Sequence, residues 1–295
     1  MCRRVLVTGS SGFIGIPLAG RLEAAGCQVI RHAQADGDIA SCSLRDRRID
    51  HVFHLAARTS VEESWTSPVP FYATNVVGTA NVAEFCRSQS ASLTMISSYV
   101  YGAPRFLPIS EEHPVAAFNP YGHSKLLAEE VCRYYARQFH INTTVIRPFN
   151  VYGPGQNESF LIPTLLKQVL DPGIQEISIA DDRPRRDYLF IDDFLDLLLC
   201  TMQPAGFAIF NAGSGSSFSA RELAEIMLHI SGRAMPVVSR GEFRPREVLD
   251  VVADCRKAKD VLGWEPQVPL SDGIRRTIEA RVALQAGVEQ TAANG

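Results

Sequence analysis

The chain has 295 residues, of which 46% are hydrophobic and 21% charged, and its formal net charge at pH 7 is -3. These values indicate a globular protein with room for one large α/β domain and a smaller lobe, and they exclude a polyanion such as nucleic acid as the expected partner. No apolar run approaches the ~20 residues that span a membrane. The seven cysteines are scattered without metal-ligand spacing, which predicts reduced thiols in a cytoplasmic protein and no metal site.

The first predicted elements are a buried strand from Val5 to Val7 and a helix from about Phe13 to Ala25. Between them stand Gly9, Gly12 and Gly15, three residues apart. Such a turn lets a pyrophosphate approach the backbone, and the N–H groups and dipole at the helix N-terminus stabilise its charge. The turn therefore indicates dinucleotide binding, although the spacing G-x-x-G-x-x-G differs from the commoner G-x-G-x-x-G.

The second predicted strand, Cys27 to Arg31, bears on the choice of cofactor. An acidic residue at the end of this strand normally binds the adenosine ribose of NAD. Here Arg31 and His32 stand at that place, and the nearest acids, Asp36 and Asp38, come later. A cation accommodates the 2′-phosphate of NADP, so the local chemistry favours NADP over NAD. The alternative is that Arg31 is a solvated loop residue.

A short polar link leads to the next elements. We expect Asp38–Ile39 to form a brief third strand and His51 to Ala57 a fourth, whose small terminal residues let a cofactor lie close to the backbone. His54 alternates with apolar residues in this strand, which predicts a core histidine. Pro68 to Arg87 is predicted to be one helix packed closely on the sheet, with Asn75 inside it.

Strands and helices continue to alternate up to about Gly155, with strands at 93–97 and 141–146 and a helix at 121–139. This rhythm predicts a Rossmann-type, doubly wound parallel α/β sheet, with a dinucleotide-binding domain over residues 1–155. Residues 156–285 are expected to form mainly a smaller α/β substrate lobe, with segments near 187–211 returning to the first domain and 286–295 as a frayed tail. The later elements are predicted at 160–170, 176–180, 187–200, 207–211, 220–230 and, as a closing helix, 257–262.

Tyr121 and Lys125 are the most informative pair for chemistry, because residues four apart on a helix share one face. A phenol with a pKa near ~10 is a poor acid or base at neutral pH, and a nearby ammonium lowers that pKa. The pair is therefore a candidate proton-transfer device for a substrate hydroxyl or carbonyl. A serine hydroxyl about two dozen residues earlier is available to hold the same substrate oxygen.

Several segments in order along the chain carry a resemblance to a known family. They are Thr8-Gly9-x-x-Gly12-x-x-Gly15, His54-Leu55-Ala56-Ala57, Ser97-Ser98-x-Val100-Tyr101-Gly102, Tyr121-x-x-x-Lys125, Arg147-Pro148-x-Asn150-Val151-Tyr152-Gly153-Pro154, Arg186-Asp187-Tyr188-x-x-Ile191-Asp192-Asp193, Asn211-Ala212-Gly213-Ser214-Gly215 and Leu262-Gly263-Trp264-x-Pro266. The set resembles the extended short-chain dehydrogenase/reductases, and more narrowly their NAD(P)-dependent nucleotide-sugar epimerase/dehydratase family. The resemblance covers nearly the whole chain.

The resemblance implies that Tyr121 is the acid/base and that Lys125 lowers its pKa and holds the nicotinamide ribose. It implies that Ser97, three positions before Val100, is the catalytic hydroxyl, with Ser98 as the alternative because this segment is one residue short. The implied cofactor contacts, besides Arg31, Tyr121 and Lys125, are Gly9, Ser11, Gly12, Phe13, Ile14, Asp38, Ile39, Leu55, Ala56, Ala57, Asn75 and Val151. The implied substrate contacts are Ser98, Asn150, Arg186 and Arg244, with surface salt bridges as the alternative for the two arginines.

The dehydratase branch of the family carries an Asp-Glu pair where Ser98 and Tyr99 stand, so elimination of water is not expected. Two redox outcomes remain, both with a nucleotide-linked sugar as substrate. A 4-epimerase keeps its cofactor, usually NAD, whereas a 4-ketoreductase uses NADPH once and releases it. Alternatives from other classes are a non-catalytic NAD(P) sensor or scaffold and a reductase of a non-nucleotide carbonyl. The resemblance also implies a homodimer through the helices at 68–87 and 121–139.

Overall fold

The computed structural model describes residues 3–44, 48–203, 206–244 and 247–293, with residues 286–293 described by their backbone alone. The strands are β1 Arg4–Thr8, β2 Gln28–His32, β3 His51–His54, β4 Ser92–Ile96, β5 Thr143–Pro148, β6 Asn150–Tyr152, β7 Ile177–Ile179, β8 Arg185–Phe190, β9 Phe207–Ala212, β10 Ser217–Ser219 and β11 Val237–Ser239. The helices are α1 Gly15–Ala24, α2 Val61–Thr66, α3 Val69–Tyr72, α4 Gly78–Gln89, α5 Pro120–Phe139, α6 Leu161–Leu170, α7 Ile191–Cys200, α8 Ala220–Ser231, α9 Arg256–Leu262 and α10 Leu270–Ala293.

The main sheet has six parallel strands in the order β2-β1-β3-β4-β5-β9. Side chains alternate between its faces, so Val5 and Val7 pack with Leu18 of α1, whereas Leu6 packs with Val82 of α4 and Ala128 of α5. Helices therefore cover both faces. The Rossmann-type, doubly wound α/β fold predicted from the sequence is confirmed.

The smaller C-terminal lobe contains two short sheets. In one of them β8 lies between β6, to which it runs parallel, and β10, to which it runs antiparallel; in the other β7 pairs with β11. The chain crosses between the lobe and the main sheet more than once. After β8, helix α7 packs against α1, where Arg21 forms an ion pair with Asp192, and β9 then joins β5 in the main sheet.

The predicted third strand at Asp38–Ile39 is wrong, because this segment is a turn. The Asp38 carboxylate accepts a hydrogen bond from the N–H of Ala40 at 2.9 Å, and the Asp38 carbonyl accepts from the N–H groups of Ser41 and Cys42. These bonds satisfy the backbone locally, so no strand pairing is needed. Strand β2 is followed directly by β3, and β3 ends at His54 rather than at Ala57.

The helix predicted over 68–87 is divided. A π turn at Ala73–Val77 separates α3 from α4, and the short helix α2 precedes them. Such turns insert an extra residue into a helix and occur frequently at functional sites. Here the π turn carries Asn75, whose side chain is almost completely buried.

At the C-terminal end, the predicted closing helix is present as α9, but it is followed by α10, which the sequence analysis missed. The backbone of α10 is helical as far as Ala293, across most of the segment expected to be a frayed tail; residues 294–295 lie outside the described residues. No helix within the described ranges is long and apolar enough to cross a membrane.

Candidate active site

The three glycines of the turn after β1 differ in how closely they are packed. Gly9 has φ +68°, and a Cβ on it would lie 2.7 Å from the backbone nitrogen of Ala56. A Cβ on Gly15 would overlap the carbonyl oxygen of Gly9, so both glycines are required by the packing of the turn itself. A Cβ on Gly12 would meet only the Gly9 carbonyl, at 3.3 Å. Gly12 is thus the least crowded of the three glycines, and the turn beside it is called the cradle below.

The cradle lies at the start of α1, whose first N–H groups have no partner within the helix. Ser11 and Gly12 are exposed there, and Phe13 and Ile14 are half-buried. Across from them, Leu55, Ala56 and Ala57 are half-buried directly after β3, and the Ala56 N–H donates to the Thr8 hydroxyl at 3.2 Å. These residues line the carboxyl edge of β1 and β3, where ligands bind in this type of sheet.

His54 is a core histidine, as predicted. Its Nδ1 lies 2.8 Å from the Thr8 hydroxyl and its Nε2 lies 3.1 Å from the Thr79 hydroxyl. Burial, with a smaller contribution from the charge of Lys125, lowers the pKa of His54 to about 3. The imidazole is therefore neutral at pH 7, and it ties β1 and β3 to α4.

Asn75 connects the segment after β3 with α5. Its Oδ1 accepts from the backbone N–H of Arg58 at 2.9 Å, and its Nδ2 donates to the Arg58 carbonyl at 3.1 Å and to the Ser124 hydroxyl at 2.8 Å. Ser124 is the residue before Lys125. Asn75 thus fixes the segment after β3 relative to α5, and its side-chain amide is used in these contacts.

The residues expected near the adenosine part of a dinucleotide lie at the end of β2. The exposed Arg31 forms an ion pair with Glu23 of α1 at 2.8 Å, and the exposed Asp38 caps its own turn. The side chain of Ile39 is only 4% exposed and packs into the core, since a Cβ on Gly78 would lie 2.7 Å from its Cγ2. The cation that favoured NADP is therefore already paired with a carboxylate.

Helix α5 positions the candidate acid/base. The Asn119 side chain caps the helix by accepting from the Gly122 N–H at 2.7 Å, which places Tyr121 in the first turn and Lys125 in the second. The Ser98 side chain lies close enough to Tyr121 to lower the pKa of its phenol. The Lys125 ammonium is buried and donates to the Ile96 carbonyl at 2.8 Å.

The pKa values of this pair differ from those expected from the sequence. Burial raises the pKa of Tyr121, and the neighbouring Ser98 side chain offsets this only in part. Burial also lowers the pKa of Lys125 to about 8, against the opposing effects of Cys132 and Glu129. Lys125 is not among the groups that act on the Tyr121 pKa in the protein alone, where desolvation of the phenol dominates. The expected lowering of this pKa by Lys125 stays a prediction.

The two neighbouring serines have different partners. The Ser97 hydroxyl is 2% exposed and donates to Glu129 at 2.5 Å, while Ser98 is the serine that reaches Tyr121. Counting back from Val100 selects Ser97, and the one-residue shortening of this segment leaves Ser98 as the alternative. The geometry thus favours the alternative, Ser98, over Ser97.

Glu129 and Arg147 are buried charges that the sequence analysis missed. The Arg147 guanidinium donates to both carboxylate oxygens of Glu129, at 2.6 and 2.9 Å. Two signals could have found them. Glu129 lies four residues after Lys125 on the same helix face, and Arg147 is a charged residue that ends an apolar strand.

The candidate substrate residues lie in or near the lobe. The Asn150 side chain donates to the Asp187 carbonyl at 2.9 Å. The Arg186 guanidinium pairs with Glu247 and donates to the Val248 carbonyl at 2.7 Å, and its charge acts on Tyr99, the neighbour of Ser98. Val151 is half-buried in β6 beside Asn150. Arg186 is therefore connected to the loop that carries Ser98, whereas Asn150 is joined to β8.

Arg244 is exposed, at the end of the described range 206–244. Unlike Arg186, it is not brought against the loop of Ser98 by any contact of the described residues. Its expected contact with a nucleotide sugar stays a prediction.

The parallel sheet, the glycine turn and the tyrosine-lysine helix define the class of Rossmann-type dinucleotide-binding proteins. Residues 5–213 match the NAD dependent epimerase/dehydratase family, and the chain belongs to this family. The resemblance inferred from the motifs is confirmed.

Among curated relatives, a UDP-glucose 4-epimerase of Mycolicibacterium smegmatis is 34% identical, over 94% of this chain and 97% of that protein. A GDP-6-deoxy-D-mannose reductase of Pseudomonas aeruginosa is 32% identical, over 96% of this chain and 99% of that protein. Among solved structures, MoeE5 in complex with UDP-glucose and NAD superimposes with a TM-score of 0.87 at 31% identity, covering 95% of this chain and 99% of that one.

Proposed function

We propose that the chain catalyses NAD(P)-dependent oxidoreduction at C4 of a nucleotide-linked sugar, as a nucleotide-sugar 4-epimerase. The observation that carries the proposal is the approach of Tyr121 to Ser98, with Lys125 one helical turn away. In this assignment the Tyr121 oxygen takes the proton from the sugar hydroxyl and returns it, and Ser98 holds the same substrate oxygen. A bound nicotinamide cofactor supplies the acceptance and return of hydride.

Lys125 has two roles in this proposal. Its ammonium favours the phenolate when Tyr121 loses its proton, and it lies where the family holds the cofactor ribose. Because burial lowers the pKa of Lys125 to about 8, the amine remains largely charged at pH 7 but has little margin. We therefore expect activity to fall above pH 7, as the Lys125 amine loses its charge.

Binding of the cofactor and substrate is assigned to the residues flanking these groups. We assign the pyrophosphate to Gly9, Ser11, Gly12, Phe13 and Ile14, because Gly12 is the least crowded glycine of the cradle described above. We assign the rest of the cofactor to Asp38, Leu55, Ala56, Ala57 and Val151, with the buried Ile39 and Asn75 supporting these contacts from behind. The sugar and diphosphate are assigned to Asn150, Arg186 and Arg244, since a guanidinium matches phosphate oxygens in a bidentate manner.

The pairing of Arg31 with Glu23 supports NAD, and hence the epimerase, over NADP. The second candidate is a 4-ketoreductase that uses NADPH. The reductase is favoured by the position of Arg31 at the end of β2 and by the exposure of its ion pair with Glu23. Such surface pairs contribute only about 0–1 kcal/mol, so Arg31 can exchange the Glu23 carboxylate for a 2′-phosphate. Dehydration is not assigned, since elimination needs a second acid/base pair and the segment 97–102 contains no carboxylate.

The test combines cofactor identification with turnover. We expect mass spectrometry of the purified protein to find retained NAD, and NMR to follow interconversion of C4 epimers among UDP-, GDP- and dTDP-hexoses. Tyr121→Phe should retain the cofactor and lose at least about 100-fold in kcat. Tyr134→Phe, an exposed tyrosine on the same helix, is the matched control and should keep the activity. Full activity of Tyr121→Phe would refute the assignment, and protein isolated empty that oxidises NADPH would favour the reductase.

We also propose a homodimer through α4 and α5. Its support is the set of apolar side chains that α5 exposes, Leu127, Tyr134 and Phe139. Light scattering after size-exclusion chromatography should give twice the chain mass of 32.4 kDa. Leu127→Glu should shift the protein toward the monomer, and a monomeric wild-type protein at micromolar concentration would reject the proposal.

A further inference from the structure

We infer that the buried ion pair of Glu129 and Arg147 is a positioning device, which fixes the loop carrying Ser98 against the helix carrying Tyr121 and Lys125. This inference rests on the function proposed above and adds two positioning residues to its site. Neither side chain would touch substrate or cofactor, so neither is a catalytic residue.

The pair is nearly excluded from water. The Arg147 side chain is 4% exposed and the Glu129 side chain 2%, and two parallel N–H···O bonds join them. A bidentate pair of this kind fixes the orientation of both groups as well as their separation. Since Glu129 belongs to α5 and Arg147 to β5, the pair locks the helix to the main sheet.

On one side of Ser98, successive turns of α5 hold successive residues at the end of β4. Lys125 donates to the Ile96 carbonyl at 2.8 Å, and Glu129, one turn later, accepts from the Ser97 hydroxyl at 2.5 Å. Any shift of Glu129 therefore moves the peptide that leads into Ser98.

On the other side of Ser98, the same ion pair holds Tyr101. The Arg147 Nη1 donates to the Tyr101 hydroxyl at 3.1 Å, and that hydroxyl donates to the Asn211 side chain of β9 at 2.6 Å. The loop is thus held at Ser97 through Glu129 and at Tyr101 through Arg147. With both flanks fixed, Ser98 has little freedom to move away from Tyr121.

The charge of Glu129 also acts on Lys125. The groups facing the Lys125 amine are Glu129 and Cys132 on its own helix, His54 from β3 and the carbonyl of Ile96. Cys132 and, after it, Glu129 favour the ammonium form of Lys125 against its burial. Because burial raises the pKa of the Cys132 thiol to about 12 and His54 is neutral at pH 7, Glu129 is the charged group among them at that pH. An apolar replacement of the ion pair could preserve the packing but not this effect.

The experiment measures the ionisation of Lys125 separately from turnover. The chain has only four lysines, Lys125, Lys167, Lys257 and Lys259, so protein labelled with 13Cε-lysine gives a readily assigned NMR titration. In Glu129→Gln, which keeps the shape and removes the charge, we expect the pKa of Lys125 to fall by about 1 or more. We expect kcat to fall by at least about 10-fold with a smaller change in KM, because the fixed geometry of Ser98 is lost.

Two variants separate the charge from the fixed geometry. Glu129→Asp keeps the negative charge but has a shorter side chain. Its Lys125 pKa should therefore be close to that of wild type, whereas its kcat should stay below that of wild type. Glu130→Gln, the adjacent residue in a surface pair with Arg133, should leave both quantities unchanged. If Glu129→Gln does not fold because Arg147 is left unpaired, Glu129→Gln/Arg147→Met removes both charges and gives the same NMR readout.

An unchanged Lys125 pKa together with a kcat within twofold of wild type, in folded Glu129→Gln or in the double variant, would overturn the inference. Failure of the proposed function looks different. In that case the wild-type protein turns over no nucleotide sugar, while the NMR titration of Lys125 still responds to Glu129.

Discussion

Replacing Ser98 and Ser97 individually by alanine tests the choice between two adjacent hydroxyls. In the structure Ser98 reaches Tyr121, whereas Ser97 donates to Glu129. Ser98→Ala removes the side chain that lowers the Tyr121 pKa, and with it the proposed contact with the substrate oxygen. A hydrogen bond to a group that carries charge contributes about 1.5–3 kcal/mol, which corresponds to a loss of about 10- to 100-fold in kcat.

Ser97→Ala should have the opposite profile. Glu129 keeps both hydrogen bonds from Arg147, and the anchor of the loop at Tyr101 remains, so we expect kcat to fall less than in Ser98→Ala. The free energy of unfolding should decrease by about 1–2 kcal/mol, because a buried carboxylate oxygen loses one donor.

The assay is steady-state turnover of the sugar nucleotide identified for the wild-type protein, with urea denaturation of each variant in parallel. For each variant, kcat is divided by the wild-type kcat. Comparing the two ratios identifies which serine is the catalytic hydroxyl. A larger loss of kcat in Ser97→Ala than in Ser98→Ala, with both proteins folded, would refute the reasoning from the structure and restore Ser97 as the catalytic hydroxyl.

Three further predictions follow from other parts of the molecule. Gly12→Val should fold normally but weaken NAD binding by at least about 10-fold in calorimetry, because its side chain would occupy the cradle; unchanged affinity would contradict the pyrophosphate assignment. Burial lowers the pKa of His51 and His54 from 6.5 to about 3, so the stability that they contribute is complete above pH 6.5 and is lost toward pH 3, by up to about 1.4 kcal/mol per pH unit for each. Urea denaturation between pH 7 and 4.5 should show this slope, and His51→Gln should reduce it; a flat profile would count against the burial of both. Asp187→Asn should lower the free energy of unfolding by about 3 kcal/mol in urea denaturation, since its buried carboxylate accepts from the N–H groups of Ser214, Gly215 and Ala253; a change below about 1 kcal/mol would show that these bonds are dispensable.

The sequence predicts the parts of this fold that depend on periodicity. Strand β1, the glycine turn and α5 follow from apolar alternation and from Gly and Pro at the ends of elements. His54 was also predicted correctly, because a lone histidine that alternates with apolar residues faces the core. The turn at Asp38–Ile39 was not, since its deciding interaction is a side-chain hydrogen bond to the backbone that pattern alone does not distinguish from a short strand.

The candidate site was predictable as a set of residues but not as a set of contacts. Tyr121 and Lys125 share a helix face by spacing, whereas Ser97 and Ser98 are separated only by where the one-residue deletion falls in the loop. The pKa of Tyr121 depends on its burial by distant segments, which local sequence does not report. Helix α10 was missed because its alanine-rich end has a weak apolar stripe.

The last strand of the main sheet, β9, comes late in the sequence, and this has a consequence for folding during synthesis. The main sheet is completed only when residues 207–212 pair with β5, long after the segment that contains the dinucleotide-binding turn has left the ribosome. Until then the outer edge of β5 presents unpaired N–H and C=O groups, which is the kind of surface that templates aggregation. A fragment that stops near residue 155 would leave this edge of β5 without its neighbouring strand, so we expect it to be more prone to aggregation than the full chain.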